Sequence, residues 1–157
     1  MTPVAIQAGI ALVRRLFCGS KEPMDYNSIC TTVFTPIEYS TVGYSEDAAI
    51  DEFGQDNIEV YHKEFLPLEW SISAGRGDNF CFTKVIIEKT GPQKVLGIHY
   101  LGPQAGEVMQ GYGAAIKCGL TFGQLKGTVG IHPTSSEEIC TLTVTKSSGE
   151  DAAAGGC

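Results

Sequence analysis

His132 and Glu137 stand five residues apart in the run Gly130-Ile131-His132-Pro133-Thr134-Ser135-Ser136-Glu137-Glu138. A carboxylate within reach of an imidazole fixes its tautomer and raises its basicity, which is what a general acid/base requires. The Thr/Ser cluster reads as the start of a helix, so His132 falls on the loop that enters it. The same residues also admit a plainer reading. Thr134-x-x-Glu137 and Ser135-x-x-Glu138 both fit the capping box, in which the glutamate does no more than close a helix N-terminus. The two readings coexist if Ser135 caps with Glu138 while Glu137 turns to His132. A cis His132–Pro133 bond would aim the imidazole away from the helix; about 5% of X–Pro bonds in folded proteins are cis.

The other residues with chemical potential read more blandly. His62 and His99 fall inside expected strands, and no Cys/His/Asp spacing around them suits a metal. Gly102-Pro103-x-Ala105-Gly106 obeys no phosphate-loop rule and reads as a tight strand-to-helix turn. Arg76-Gly77-Asp78 is an integrin-type tripeptide in what reads as a hairpin turn. The six cysteines (18, 30, 81, 118, 140 and 157) form no Cys-x-x-Cys pair, which argues against both a zinc site and a disulfide framework. Most have apolar neighbours and read as small buried hydrophobes. Cys157 differs, because it follows a Gly-Gly tail where burial is not expected, and the terminal carboxylate beside it disfavours the thiolate. A second thiol or a selenol directly after it would make a vicinal redox pair on a swinging arm.

The elements that must hold these residues are legible in outline. Thr2-Pro3 reads as N-cap and first helical position, followed by Val4, Ala5, Ala8, Leu12 and Leu16 at helical spacing and a stop at Gly19. That wide apolar face has little upstream to cover it, so residues 1–20 read as the end of something larger. Residues 21–29 form a polar linker. Strands are expected at Thr31–Thr35 and at about 58–65, 68–73, 80–89 and 94–101, the later ones as an antiparallel meander. Helices are expected from Ser45 to Gly54, through Val108–Ile116 to Gly119, and from Ser135 to about Thr143. Residues 30–145 are thus one domain of α+β class, an antiparallel sheet with flanking helices, and 146–157 a flexible tail.

Composition sets outer limits. The chain has 157 residues, 43% of them hydrophobic, and a formal net charge of −7. Its pI of about 4.9 and unclustered basic residues argue against a nucleic-acid partner. No apolar run approaches the roughly 18 residues of a membrane span, and no secretory leader is evident. Cysteine usage points to a reducing compartment, the cytoplasm or alternatively the mitochondrion.

Taken together, several stretches resemble the high-molecular-weight, animal-type thioredoxin reductases, within the FAD- and NADPH-dependent disulfide oxidoreductases. They include Thr2-Pro3-Val4-Ala5-Ile6-Gln7-Ala8-Gly9, Thr31-Thr32-Val33-Phe34-Thr35-Pro36-Ile37-Glu38, Leu101-Gly102-Pro103-Gln104-Ala105-Gly106-Glu107-Val108 and Thr128-Val129-Gly130-Ile131-His132-Pro133-Thr134. The resemblance is end to end and implies a specific arrangement. Residues 1–20 would close the flavin domain, with Thr2, Pro3, Val4 and Ala5 facing FAD. Residues 30–145 would form the interface of a homodimer. His132 would reach the partner subunit's flavin and redox disulfide as the acid/base of thiol–disulfide interchange, with Glu137 orienting it and Glu138 left as the cap. Cys157 would be the first member of a Cys-selenocysteine pair that passes electrons to thioredoxin. Glutathione reductase shares the His-Pro-Thr-Ser-Ser-Glu-Glu run without the tail, and a thioredoxin-glutathione reductase would share the whole chain. A non-catalytic dimerising module is the alternative of a different class. The dinucleotide-binding glycine motifs are not in this chain, so it is expected to hold neither FAD nor NADPH stably by itself.

Overall fold

The computed structural model describes residues 1–72 and 80–155; Arg76-Gly77-Asp78 and Cys157 lie outside the described residues. Among these, five strands form one antiparallel sheet: β1 (Thr31–Val33), β2 (Tyr39–Gly43), β3 (Ile58–Phe65), β4 (Cys81–Glu88) and β5 (Val95–Leu101). Their order across the sheet is β1-β2-β5-β4-β3. The expected meander is β3-β4-β5, with Ile58 opposite Glu88 and Lys84 opposite His99. β5 is central and buried along almost its whole length, as its near-continuous apolar run demands. β3 lies at an edge, and its alternation sets Tyr61 and Phe65 toward one face and Ile58 and Val60 toward the other.

The helices cover both faces. On one side α4 (Ala105–Lys117), α5 (Phe122–Gly127) and α6 (Glu137–Cys140) contribute Met109, Leu125 and Ile139 to a core shared with Val85, Ile98 and Tyr100. Full burial of each aliphatic side chain contributes roughly 1.5–3 kcal/mol, which is what fixes these helices to the sheet. On the other side α2 (Glu46–Phe53) places Ala49 against Ile58, Val60, Ile86 and Leu96. Its ends are those expected: Ser45 Oγ accepts from the Ala48 amide, acidic residues fill the first turn, and Gly54 at φ 86° stops it. β2 and β5 approach so closely at Gly43 and Gly97 that an added Cβ at either would meet a backbone carbonyl oxygen at 2.2 Å.

Four expectations need correction. Residues 68–71 form a helical turn, α3 (Leu68–Ser71), where a strand was expected, because Pro67 starts it and Ser71 Oγ closes on the Leu68 carbonyl. The third helix is only Glu137–Cys140, not 135–143. Thr2 lies inside α1 (Thr2–Phe17), whose N-cap is Met1. Cys18 and Cys118 are exposed, so only Cys81 and Cys140 are the buried hydrophobes expected, with Cys30 half-buried.

Candidate functional site

The loop between α5 and α6 is held from below before it presents anything. Thr134 Oγ1 donates to the Ile131 carbonyl at 2.6 Å and accepts the Glu137 amide at 3.3 Å. Tyr112 of α4 donates its hydroxyl to the Ser136 carbonyl at 3.1 Å, one residue before Glu137. Burial, reinforced by the nearby Cys140, drives the Tyr112 hydroxyl far above its ordinary pKa, so it stays a donor. Behind α6, Lys126 of α5 donates to the Leu142 carbonyl at 2.6 Å, its pKa lowered mainly by burial. Gly130 lets the loop close: a Cβ there would come within 2.6 Å of the Glu137 Cβ.

On this support His132 Nδ1 lies 2.8 Å from Glu137 Oε1. The carboxylate is mostly withdrawn from water, at 15% exposure, while the imidazole is 71% exposed. An ionised carboxylate only accepts, so in this pairing Nδ1 is the donor and Nε2 is the ring nitrogen turned away from Glu137. The His132–Pro133 bond is cis, as the sequence allowed. A recess of about 290 Å³ lined by Leu66, Leu68, Glu69, Thr134 and Glu137 opens beside the ring. Val129 and Ile131, 91% and 76% exposed, flank the approach with uncovered apolar surface.

The capping expectation is half realised. Thr134 caps the Glu137 amide, but the Glu137 carboxylate goes to His132. Glu138 is not a cap: it turns inward and ion-pairs with Lys63 of β3, the two side chains 8% and 11% exposed. Sequence reading missed Lys63 and Tyr112 in these roles. The Lys63 signal was its inward register in β3, a charge sharing a face with Tyr61 and Phe65.

The other singled-out residues stand apart from this site. Thr2, Pro3, Val4 and Ala5 form the first turn of α1, whose residues include none that is buried. His99 is buried in β5, with Nδ1 2.8 Å from the Tyr39 hydroxyl and Nε2 3.0 Å from the Tyr44 carbonyl. His62 lies in β3, edge-on to Phe82. Burial, with the Glu69 charge adding to it, pushes the Cys81 thiol up to about 12, and burial raises Cys30 too, so neither is primed as a nucleophile. Among the described residues no group of three or more His, Cys, Asp or Glu is arranged to hold a metal, and no helix is long and apolar enough to cross a membrane.

A five-stranded antiparallel sheet with helices on both faces, presenting a His–Glu pair on an exposed loop, defines a class. The chain belongs to the pyridine nucleotide-disulphide oxidoreductase dimerisation-domain family, which matches residues 29–143. Over all 157 residues it is 52% identical to Thioredoxin reductase 2, mitochondrial, of Drosophila melanogaster and 51% identical to Thioredoxin reductase SEP1 of Emiliania huxleyi. It spans about a third of the length of these relatives, 30% and 32% respectively. The chain is thus the counterpart of the dimerisation part of such an oxidoreductase.

Proposed function

We propose that this chain serves an NADPH-dependent thioredoxin-disulfide reductase, with His132 as the acid/base of thiol–disulfide interchange and Glu137 as its positioning residue. The observation that carries this is the 2.8 Å Nδ1–Oε1 bond on an otherwise exposed ring. Among the described residues Nε2 has no partner, so it is available to take a proton from an attacking thiol and return it to a leaving thiolate. The uncovered Val129 and Ile131 beside it support docking of this loop against a second subunit, so the reductase works as a homodimer. FAD, when bound, supplies the two-electron carrier between NADPH and the disulfide.

The first turn of α1 fits a flavin contact in part. It has no side-chain cap and no acidic residue, which suits developing negative charge. Pro3 has no amide to offer, and the Ala5 amide is bonded to the Met1 carbonyl at 3.2 Å. Thr2 and Val4 therefore supply the amide donors, and Pro3 and Ala5 only surface. We read residues 1–20 as the close of the flavin domain, 21–29 as a linker, 30–145 as the interface domain and 146–157 as the redox tail carrying Cys157, in a cytosolic or mitochondrial enzyme. A selenocysteine following Cys157 would complete the tail's redox pair.

The test is His132→Gln in the full-length reductase. Thioredoxin reduction by NADPH is expected to fall by about 10²–10⁴-fold with flavin content unchanged. An undiminished rate in a fully flavinated variant would contradict the assignment.

A further inference from the structure

The chain does not leave the domain where α6 ends. Leu142 and Val144 are buried, the His62 amide of β3 donates to the Val144 carbonyl at 3.0 Å, and Tyr61 faces Thr145 in an antiparallel bridge. Since β3 is an edge strand, this segment covers backbone groups that would otherwise be open to pairing. The chain then runs on beside β3. There Lys146 Nζ ion-pairs with Glu46 in the first turn of α2, and the second oxygen of that carboxylate takes Lys84 Nζ of β4 at 3.2 Å. One residue further, Ser147 Oγ donates to Glu59 Oε2 of β3 at 2.6 Å. Ser148 Oγ donates to the Thr145 carbonyl at 2.6 Å, and Gly149 leaves the turn at φ 73°.

Glu46 is shared between two lysines. Its side chain is 17% exposed, and its two oxygens are divided between lysines from different parts of the chain. Burial alone would raise its pKa, but the hydrogen bonds from Lys146 and Lys84 outweigh it and leave the carboxyl below its ordinary value. Helix capping does not explain the arrangement, because Ser45 already caps α2. Lys84 alone would not explain it either, since Oε1 is turned to Lys146.

We infer that Glu46, backed by Lys84, moors the root of the C-terminal segment at Lys146, upstream of the helical turn Ala152–Gly155, which lies beside β3 as well. Glu46 and Lys146 are then positioning residues for the segment that carries Cys157. The mooring follows from the contacts themselves. Its consequence for electron transfer rests on the thioredoxin reductase reading above.

Amide hydrogen exchange on the full 157-residue chain tests the mooring. The Ser148 and Gly149 amides, bonded to the Thr145 and Lys146 carbonyls, report on the root. Lys146→Met and Glu46→Gln are each expected to speed their exchange about two- to fivefold, as for a partly exposed ion pair, with β4 and β5 amides unchanged. Unchanged root exchange in Lys146→Met would overturn the mooring. That variant removes a mostly exposed lysine, so it decides the matter even if Glu46→Gln loosens α2. In the full-length reductase, Lys146→Met is expected to slow thioredoxin reduction while flavin reduction by NADPH stays at the wild-type rate. Faster root exchange with undiminished thioredoxin reduction would leave the mooring standing and overturn its role in electron transfer.

Discussion

Glu137 and Glu138 are neighbours on one short helix and carry opposite duties. Glu137, itself mostly withdrawn from water, holds an imidazole that is 71% exposed, whereas Glu138 faces inward and meets Lys63 with both side chains about nine-tenths withdrawn from water. Burial decides what each pair is for. The Lys63–Glu138 pair has excluded solvent, so breaking it strands a charge; it locks α6 to β3. The His132–Glu137 pair keeps one ring nitrogen in water, so it contributes little to stability and remains free to exchange protons. A rigid inner pair beneath a responsive outer one is how a mobile proton is held on a fixed frame.

That contrast can be broken from the inside first. Glu138→Ala leaves Lys63 buried without its counter-charge and is expected to cost about 3–5 kcal/mol in denaturant unfolding. The double change Lys63→Met with Glu138→Leu is expected to recover most of that loss. An equal loss in the double variant would mean that packing, not charge, holds α6. Next comes Gly130→Ala, whose new methyl would press on the Glu137 Cβ from 2.6 Å. It should cost about 1–3 kcal/mol and loosen the outer pair as well. Wild-type stability there would show that the loop has room to shift. Glu137→Gln should change unfolding free energy by about 1 kcal/mol or less, since its partner is exposed. A loss as large as that of Glu138→Ala would erase the distinction between the two pairs.

A buried histidine sharpens the comparison through slope rather than size. Burial holds the His99 imidazole below its ordinary value of 6.5, with the Lys84 charge adding to this and the Tyr44 carbonyl and Glu46 opposing it. The unfolded chain therefore binds the proton more readily than the folded one. The His99 contribution to stability is full above pH 6.5 and falls as pH drops through that value toward its folded pKa. A His99→Gln variant should lose this part of the pH dependence. An unaltered slope would assign it to other groups.

Local signals made much of this legible. The alternation of residues 58–65, the Ser45 cap and Gly54 stop of α2, and the apolar spacing of α4 all work over a few residues, and the structure follows them. The His132–Glu137 pair was legible for the same reason, as the two partners stand only five residues apart. What was lost falls into two kinds. β2 and α5 are short, although the Thr121–Gln124 capping box of α5 was a readable signal that went unused. The partners of Glu138 and Lys146 lie 75 and 100 residues upstream, and no local pattern distinguishes a glutamate that caps from one that reaches across a core. Leu68–Ser71 misled because its apolar residues suit strand and helix alike, and Pro67 decides for the turn.

The most direct measurement is the nitrogen-15 spectrum of the His132 ring, in the wild-type chain and in Glu137→Gln at neutral pH. With only three histidines in the chain, assignment is simple. Glu137 as orienter predicts that the neutral form of the ring carries its proton on Nδ1, and that this preference is lost in the variant. A ring protonated at Nε2, or one indifferent to Glu137→Gln, would contradict the account.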